Sequence, residues 1–236
     1  MKALSAAVSL FYPPLCAVCS VDVDPSEYLC DSCREKAPRI APPFCDKCSE
    51  PFSGAVTERF TCANCSHRDL DFDSAVAVYR SRGIVQKLIH EFKYGHQHHL
   101  CYPLAEWLGE TLEDPRLSGR RFDLMIAVPL HPARERERGF NQAHLLAERL
   151  SERSTIPLLP VLERIRYTTT QTAYDRAERM ENLRDAFRLR KKMDVRQLRV
   201  LLIDDVLTTG STLSECARVL KSAGALSVHA ATAARA

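Results

Sequence analysis

The sequence contains few glycines, few aromatic residues and almost no net charge. It has eight glycines and one tryptophan in 236 residues, and 33 Lys and Arg nearly balance 30 Asp and Glu. This balance gives no support to nucleic-acid binding through overall charge. No apolar run approaches the roughly 18–20 residues of a membrane span. With 45% hydrophobic residues, composition excludes a disordered chain, a collagen and a coiled coil, and indicates a folded protein of one or two domains.

Cysteine is the abundant exception. Eight of the ten cysteines precede residue 66 and form four Cys-x-x-Cys pairs. A two-residue gap lets both sulfurs of a turn face one tetrahedral ion, and two turns complete a closed site, so the sequence predicts two structural Zn²⁺ sites. The simplest grouping is sequential, and a crossed or nested pairing satisfies the same spacing. The predicted ligands are Cys16, Cys19, Cys30 and Cys33 for one ion, and Cys45, Cys48, Cys62 and Cys65 for the other.

Redox chemistry is the rival interpretation of the pairs, but it normally uses one Cys-x-x-Cys beside a βαβ unit. The pairs also depart from the usual zinc knuckle, in which Gly often follows the second cysteine. Ser20, Arg34, Ser49 and Ser66 occupy those places. The two remaining cysteines, Cys101 and Cys216, stand alone, and we expect both to be buried packing residues.

The chain divides near residue 70. Residues 1–70 are rich in Cys, Pro and Ser, and we interpret them as a small metal-stabilised module. Its first fifteen residues are apolar, but Pro13 and Pro14 interrupt them and no small-residue cleavage site follows. We therefore expect a segment that docks on the protein and a cytoplasmic chain without membrane insertion. Residues 71–236 form the second predicted domain.

This second part alternates apolar runs with helical patterns. Strands are predicted at residues 75–79, 124–128, 158–162, 200–203 and 228–233. Helical faces are predicted at residues 84–92, after Asn141, and at residues 213–220, where Gly224 is placed to end the helix. Such alternation predicts an α/β domain with a parallel sheet covered on both faces.

The strongest chemical signal follows the strand at residues 200–203. Asp204 and Asp205 come at its carboxyl end, where open α/β sheets bind ligands. A loop then begins the next helix, where free N–H groups and the helix dipole favour a phosphate. Its residues are Thr208, Thr209, Gly210, Ser211 and Thr212. The combination suits a phosphorylated sugar such as ribose 5-phosphate, and the alternative is an ordinary strand exit with a helix N-cap.

This stretch resembles the 5-phosphoribosyl-1-pyrophosphate (PRPP) motif of type I phosphoribosyltransferases. Further matching segments are residues 128–131, residues 138–142 and the polar stretch from Arg164 through Gln171 and Arg179 to Phe187. Their order behind four Cys-x-x-Cys pairs is similar to the ComF family, which joins double zinc ribbons to a phosphoribosyltransferase domain. The resemblance implies a type I phosphoribosyltransferase-like parallel sheet domain preceded by a Cys-rich zinc-ribbon module.

The resemblance also implies roles for the residues. Asp204 and Asp205 would engage the ribose hydroxyls, with Mg²⁺ bridging ribose and pyrophosphate, and residues 208–212 would wrap the 5′-phosphate. Arg138 would hold the pyrophosphate and, with the two acids, serve catalysis. Residues 164–190 would form a lid, from which Gln171, Arg176 and Arg179 would reach the site. Lys93 could add positive charge near the ligand.

Two functions from different classes follow, and a third alternative is a zinc-stabilised protein that merely retains a phosphate site. One is a transferase that moves the phosphoribosyl group of PRPP to a nitrogen base or another acceptor, which the sequence does not identify. The other is a non-catalytic, PRPP-sensing adaptor in competence and DNA uptake that binds single-stranded DNA or competence proteins. A homodimer is a further expectation.

Overall fold

A computed structural model describes residues 14–54, 60–167 and 183–236 of the chain. Of the predicted docking segment, the first fifteen residues, all but Pro14 and Leu15 lie outside these ranges. The strands are β1 (Ser74–Arg80), β2 (Leu124–Ala127), β3 (Leu162–Arg164), β4 (Phe187–Leu189), β5 (Arg199–Leu207) and β6 (Ser227–Arg235). Four of them form a parallel sheet in the order β1-β6-β5-β2, and β3 pairs with β4 in an antiparallel sheet. The predicted fold class, an α/β domain with a parallel sheet, is confirmed.

The helices are α1 (Asp31–Glu35), α2 (Ala63–Ser66), α3 (Gly83–Tyr94), α4 (Cys101–Gly109), α5 (Pro132–Arg138), α6 (Gln142–Arg153) and α7 (Ser211–Ser222). Short 3-10 turns occupy His98–Leu100 and Glu110–Glu113. The Asn141 side chain accepts a hydrogen bond from the His144 N–H at 3.4 Å, which caps α6. Gly224, with φ of +95°, follows α7 at the position that favours glycine. Within the described ranges, no helix has the length and apolar character that crossing a membrane demands.

The predicted strand at residues 158–162 is wrong in its bounds. Leu158 makes only an isolated parallel bridge to Met125, and the regular strand begins at Leu162 and pairs with β4. Pro157 and Pro160 lie on either side of the bridge. The Val161 N–H, which would continue the ladder along β2, donates instead to the Leu159 carbonyl at 3.0 Å, and the segment turns away.

Both faces of the parallel sheet are buried. Alternate residues of β5 contribute to each face, with Leu201 and Ile203 on one and Val200 and Leu202 on the other. The first face is covered by α3, α4 and α6, and the second by α7 and the β3–β4 pair. Cys101 and Cys216 are buried on opposite faces of this core, as expected for packing residues.

The cysteine-rich segment packs against the edge strand β1 on both sides of the sheet. Cys16, Leu29 and Cys33 pack into the first core face. Cys45, Cys48, Cys62 and Cys65 pack into the second face with Leu70 and Phe72. The chain between them runs along β1, where Ile40 N–H donates to Val78 and Ala75 N–H donates to Lys47, both at 2.7 Å. One Cys₄ cluster therefore lies on each side of the sheet.

Two serines occupy the glycine positions of the usual zinc knuckle, and they also adopt the backbone conformation that glycine would have there. Ser20 and Ser49 have φ of +60° and +59°, in the left-handed region that favours glycine. The buried Ser49 hydroxyl donates to the Ala75 carbonyl and accepts from the Ala77 N–H, each at 3.1 Å. These bonds to β1 offset the backbone strain and attach the turn to the sheet.

Candidate functional site

The eight cysteines of the four pairs form two compact clusters. They group sequentially, as Cys16, Cys19, Cys30 and Cys33 and as Cys45, Cys48, Cys62 and Cys65, with the sulfurs of each cluster within 4.8 Å of one another. Neighbouring sulfurs are 3.7 Å apart in the first cluster and 3.6 Å in the second. A Zn–S bond of about 2.3 Å gives tetrahedral S–S edges of about 3.8 Å. None of these cysteines is in a disulfide, so the donor set and its geometry fit Zn²⁺.

A buried ion pair stands at the carboxyl end of β5. The Lys93 Nζ, in the last turn of α3, lies 2.9 Å from an Asp205 carboxylate oxygen, and both side chains are largely buried. The Asp204 carboxylate accepts a hydrogen bond from the Asp205 N–H at 2.9 Å. The strand thus presents both acids at the edge where parallel sheets bind ligands, and α3 supplies a cation to one of them.

The charges at this edge shift one another's pKa values. Loss of solvent around Asp204 and the neighbouring charge of Asp205 raise the pKa of Asp204 to about 7, against a smaller opposing effect of Lys93. Burial alone would lower the pKa of Lys93, but the carboxylates of Asp205 and Asp204 outweigh it, so the Lys93 pKa is raised. Lys93 therefore stays charged, while Asp204 gains a proton near neutral pH.

The loop after β5 makes a tight turn into α7. Gly210 has φ of +78° and occupies the N-cap of α7. The Thr209 and Ser211 hydroxyl oxygens are 2.9 Å apart, and a Cβ at Gly210 would lie 3.3 Å from the ring of the buried Phe72. The first N–H groups of a helix have no intrahelical acceptor. The loop can therefore accept an anion beside the acid pair.

Arginine side chains add positive charge near the acids. Arg138, at the end of α5, donates to the Gln142 side chain at 2.9 Å, and its guanidinium stacks 5.2 Å from the Tyr94 ring centre. Burial lowers the pKa of Arg164, and the positive charges of Arg134 and Arg138 lower it further, whereas Asp204 raises it. Three guanidinium groups therefore share one electrostatic neighbourhood near the acids, as a polyanion site requires.

Sequence reasoning missed three residues near this site. Arg164 entered it only as the start of a lid, and Asn64 and Arg68 were not considered. Arg68 donates to the Thr209 carbonyl and to the Ser211 hydroxyl, at 3.0 and 2.9 Å. The only sequence signal for Asn64 and Arg68 was their closeness to Cys62 and Cys65, because a turn that binds a metal ion also fixes the positions of neighbouring residues. Gln171, Arg176 and Arg179 lie outside the described residues.

Family models match both parts of the chain. A model described as a double zinc ribbon domain matches residues 7–66, and one described as a phosphoribosyl transferase domain matches residues 137–236. The chain is also similar to adenine phosphoribosyltransferase from Thermoanaerobacter pseudethanolicus, with 19% identity, a TM-score of 0.36, and coverage of 62% of this chain and 72% of that one. This structural likeness is too distant to carry an argument.

Two curated relatives cover most of the chain. Competence protein F of Haemophilus influenzae is 32% identical over 200 residues, which are 83% of this chain and 85% of the relative. DNA utilization protein YhgH of Salmonella typhimurium is 31% identical over 224 residues, which are 93% of this chain and 96% of the relative. Together with the two domain matches, these similarities show that the chain belongs to the ComF family, in which a double zinc ribbon precedes a phosphoribosyltransferase domain.

Proposed function

We propose that the protein binds PRPP with Mg²⁺ and transfers its phosphoribosyl group to an acceptor. The observation that carries this proposal is the juxtaposition of Asp204 and Asp205 with the loop at the start of α7. PRPP presents vicinal ribose hydroxyls between a 5′-phosphate and a pyrophosphate. Carboxylates accept hydrogen bonds from hydroxyls, and a helix N-terminus favours a phosphate. In this proposal residues 208–212 receive the 5′-phosphate.

The pyrophosphate would lie on the arginine side of the acids. Arg138 is the main candidate, because a guanidinium can hold two phosphate oxygens at once. Arg164 shares its electrostatic neighbourhood, and Gln171 and Arg179 would join from the segment between β3 and β4. Mg²⁺ would neutralise charge on the pyrophosphate. It commonly binds through substrate phosphates and water with few protein ligands, which suits a site where Lys93 already neutralises Asp205.

The reaction would exchange one bond at C1 of the ribose for another. The bond from C1 to the pyrophosphate oxygen breaks, the electron pair leaves with the pyrophosphate, and a nucleophilic atom of the acceptor bonds to C1 and releases its proton to solvent. The developing positive charge on the sugar would lie near the acid pair, and the arginines would stabilise the leaving group. The protein would contribute position and charge and no covalent nucleophile.

The two Cys₄ clusters would each hold one structural Zn²⁺. A site closed by four thiolates has no open coordination position for a substrate. Since residues 14–54 and 60–66 bury little apolar surface of their own, metal binding would supply much of their folding free energy. The zinc ions would thus hold the ribbons against the sheet.

Calorimetry tests the binding proposal. The chain loaded with zinc is titrated with PRPP and Mg²⁺, as wild type and as Asp204→Asn/Asp205→Asn. We expect the double variant to bind at least tenfold more weakly, because in each side chain an NH₂ donor replaces one of the carboxylate oxygens that would accept from the ribose hydroxyls. Asp194→Asn is the matched control, since Asp194 is an exposed acid paired with Arg196 at 2.7 Å. Equal affinities of wild type and the double variant would refute the proposal.

A screen for pyrophosphate release then tests transfer. Zinc-loaded protein is incubated with PRPP, Mg²⁺ and each of a panel of nitrogen bases, and released pyrophosphate is measured. Release that depends on one base would identify the acceptor class. Tight PRPP binding without release over the panel would favour the PRPP-sensing adaptor instead, a function consistent with the competence and DNA utilization names of the relatives.

A further inference from the structure

The second Cys₄ ribbon touches the loop that precedes α7. Arg68 Nη1 donates to the Thr209 carbonyl at 3.0 Å, and its Nη2 donates to the Ser211 hydroxyl at 2.9 Å. Asn64 Nδ2 donates to the same Thr209 carbonyl at 3.3 Å, and the Asn64 amide oxygen accepts from Arg68 at 2.7 Å. Two side chains of the ribbon therefore converge on one carbonyl and one hydroxyl of the loop.

These contacts fix the direction of a peptide group. In a trans peptide, the C=O and the following N–H point in opposite directions. Because Asn64 and Arg68 hold the Thr209 carbonyl toward the ribbon, the Gly210 N–H is directed away from it. Gly210 lacks a Cβ and has φ of +78°, so its own preferences would not select one orientation of this peptide. The ribbon makes that selection.

The position of both side chains depends on the second cluster. Asn64 lies on α2 between Cys62 and Cys65, and Arg68 follows three residues after Cys65. The first ribbon makes its polar contacts elsewhere: the Lys87 Nζ donates to the Val18 carbonyl at 2.6 Å, and Arg34 pairs with Glu106 at 2.9 Å. Metal at the two clusters should therefore affect the loop unequally.

We propose that Arg68 and Asn64 are positioning residues for the 5′-phosphate site, and that through them the second Cys₄ cluster sets the affinity of the loop for phosphate. This inference rests on the proposed binding of PRPP. It assigns the second ribbon a role in ligand binding beyond that of a structural staple. By linkage, the phosphate ligand must in turn strengthen the hold of this ribbon on its metal ion.

The first test compares ligands that occupy different ends of the site. Wild type, Arg68→Ala, Arg68→Lys and Asn64→Ala are titrated with ribose 5-phosphate and, separately, with pyrophosphate and Mg²⁺. Arg68→Ala should weaken ribose 5-phosphate binding about tenfold or more, since it removes two charge-assisted bonds. Arg68→Lys should recover only part of this loss, because an ammonium cannot reproduce the planar fork. Pyrophosphate affinity should stay unchanged.

Arg121→Ala controls for the loss of one positive charge. The Arg121 side chain is 87% exposed and belongs to the segment before β2, so its removal should leave both affinities unchanged. Zinc content should remain two ions per chain in every variant. If wild type binds neither ribose 5-phosphate nor PRPP, the proposed function fails. If wild type binds and Arg68→Ala matches Arg121→Ala, the positioning role alone is refuted.

The second test follows metal release to a chromophoric chelator. Zinc loss from wild type should show two phases, one for each cluster. Saturating ribose 5-phosphate should slow one phase severalfold in wild type, and Arg68→Ala should abolish this effect. A ligand that slows neither phase in wild type, or slows one equally in Arg68→Ala, would overturn the coupling between the second cluster and the loop.

Discussion

Replacing Gly210 with alanine tests the backbone of the loop before α7, the proposed site of the 5′-phosphate, apart from its side chains. At φ of +78°, a residue with a Cβ pays about 1–2 kcal/mol. The new Cβ would also lie 3.3 and 3.4 Å from two ring carbons of Phe72, which is fully buried and cannot shift without disturbing its neighbours. We expect Gly210→Ala to lower the free energy of unfolding by about 2–3 kcal/mol and the Tm by roughly 4–12 °C.

Gly119→Ala supplies the matched control for this substitution. Gly119 has φ of +73°, but a Cβ there would have no neighbour within 4 Å, so only the backbone cost of about 1–2 kcal/mol applies. Urea unfolding of zinc-loaded protein measures both variants, and calorimetry measures ribose 5-phosphate binding. Gly210→Ala should lose at least tenfold in affinity, whereas Gly119→Ala should lose none. Equal destabilisation of the two variants together with unchanged binding would refute the reasoning.

Three other perturbations have defined outcomes. Lys93→Met should lower the free energy of unfolding by about 3 kcal/mol in urea at pH 8, because it leaves the buried Asp205 unpaired. If Lys93→Met lowered this free energy less than Lys93→Arg does, the reasoning would be contradicted. The pKa of Asp204 rises to about 7 on folding, so the contribution of Asp204 to stability falls as pH rises from about 4 to 7. Asp204→Asn should therefore gain stability relative to wild type across that window and keep the gain above pH 7. A pH-independent difference would exclude this titration. Ser49→Ala should lower the free energy of unfolding by about 1–3 kcal/mol in thermal unfolding, and Ser49→Gly should lower it less. Both variants lose the hydrogen bonds to β1, but glycine relieves the strain of the positive φ. A larger loss for Ser49→Gly than for Ser49→Ala would show that this strain is unimportant.

Sequence patterns predicted the elements whose local signal and tertiary environment agree. The apolar run Val200–Ile203 lies at the centre of the sheet, and the spacing of Leu213, Cys216, Ala217 and Leu220 describes the buried face of α7. Both patterns are set by burial, which leaves a periodic trace in sequence. The segment at residues 158–162 has the same apolar character, but the Val161 N–H bonds back to the Leu159 carbonyl and the ladder ends after one bridge.

The sequence predicted the parts of the site whose side chains are close together in the chain. It did not predict the parts where segments distant in sequence meet. Asp204 and Asp205 are adjacent in sequence and lie in β5 near its carboxyl end, so their place at the sheet edge follows from the strand itself. Arg68 and Ser211 are 143 residues apart, and no periodicity relates them. Their contact depends on how the second ribbon packs against the face that carries α7, which only the tertiary structure determines.

The packing of the two ribbons along β1 affects the order in which the sheet can fold. β1 is made early in synthesis, yet its ladder partner in the sheet is β6, about 150 residues later in the chain. Until β6 emerges from the ribosome, β1 would expose the unpaired backbone N–H and C=O groups of one edge and two apolar faces. Such a surface promotes aggregation. The metal-binding segment precedes β1 and covers its other edge, so a ribbon that captures zinc early can shelter this strand until the sheet closes.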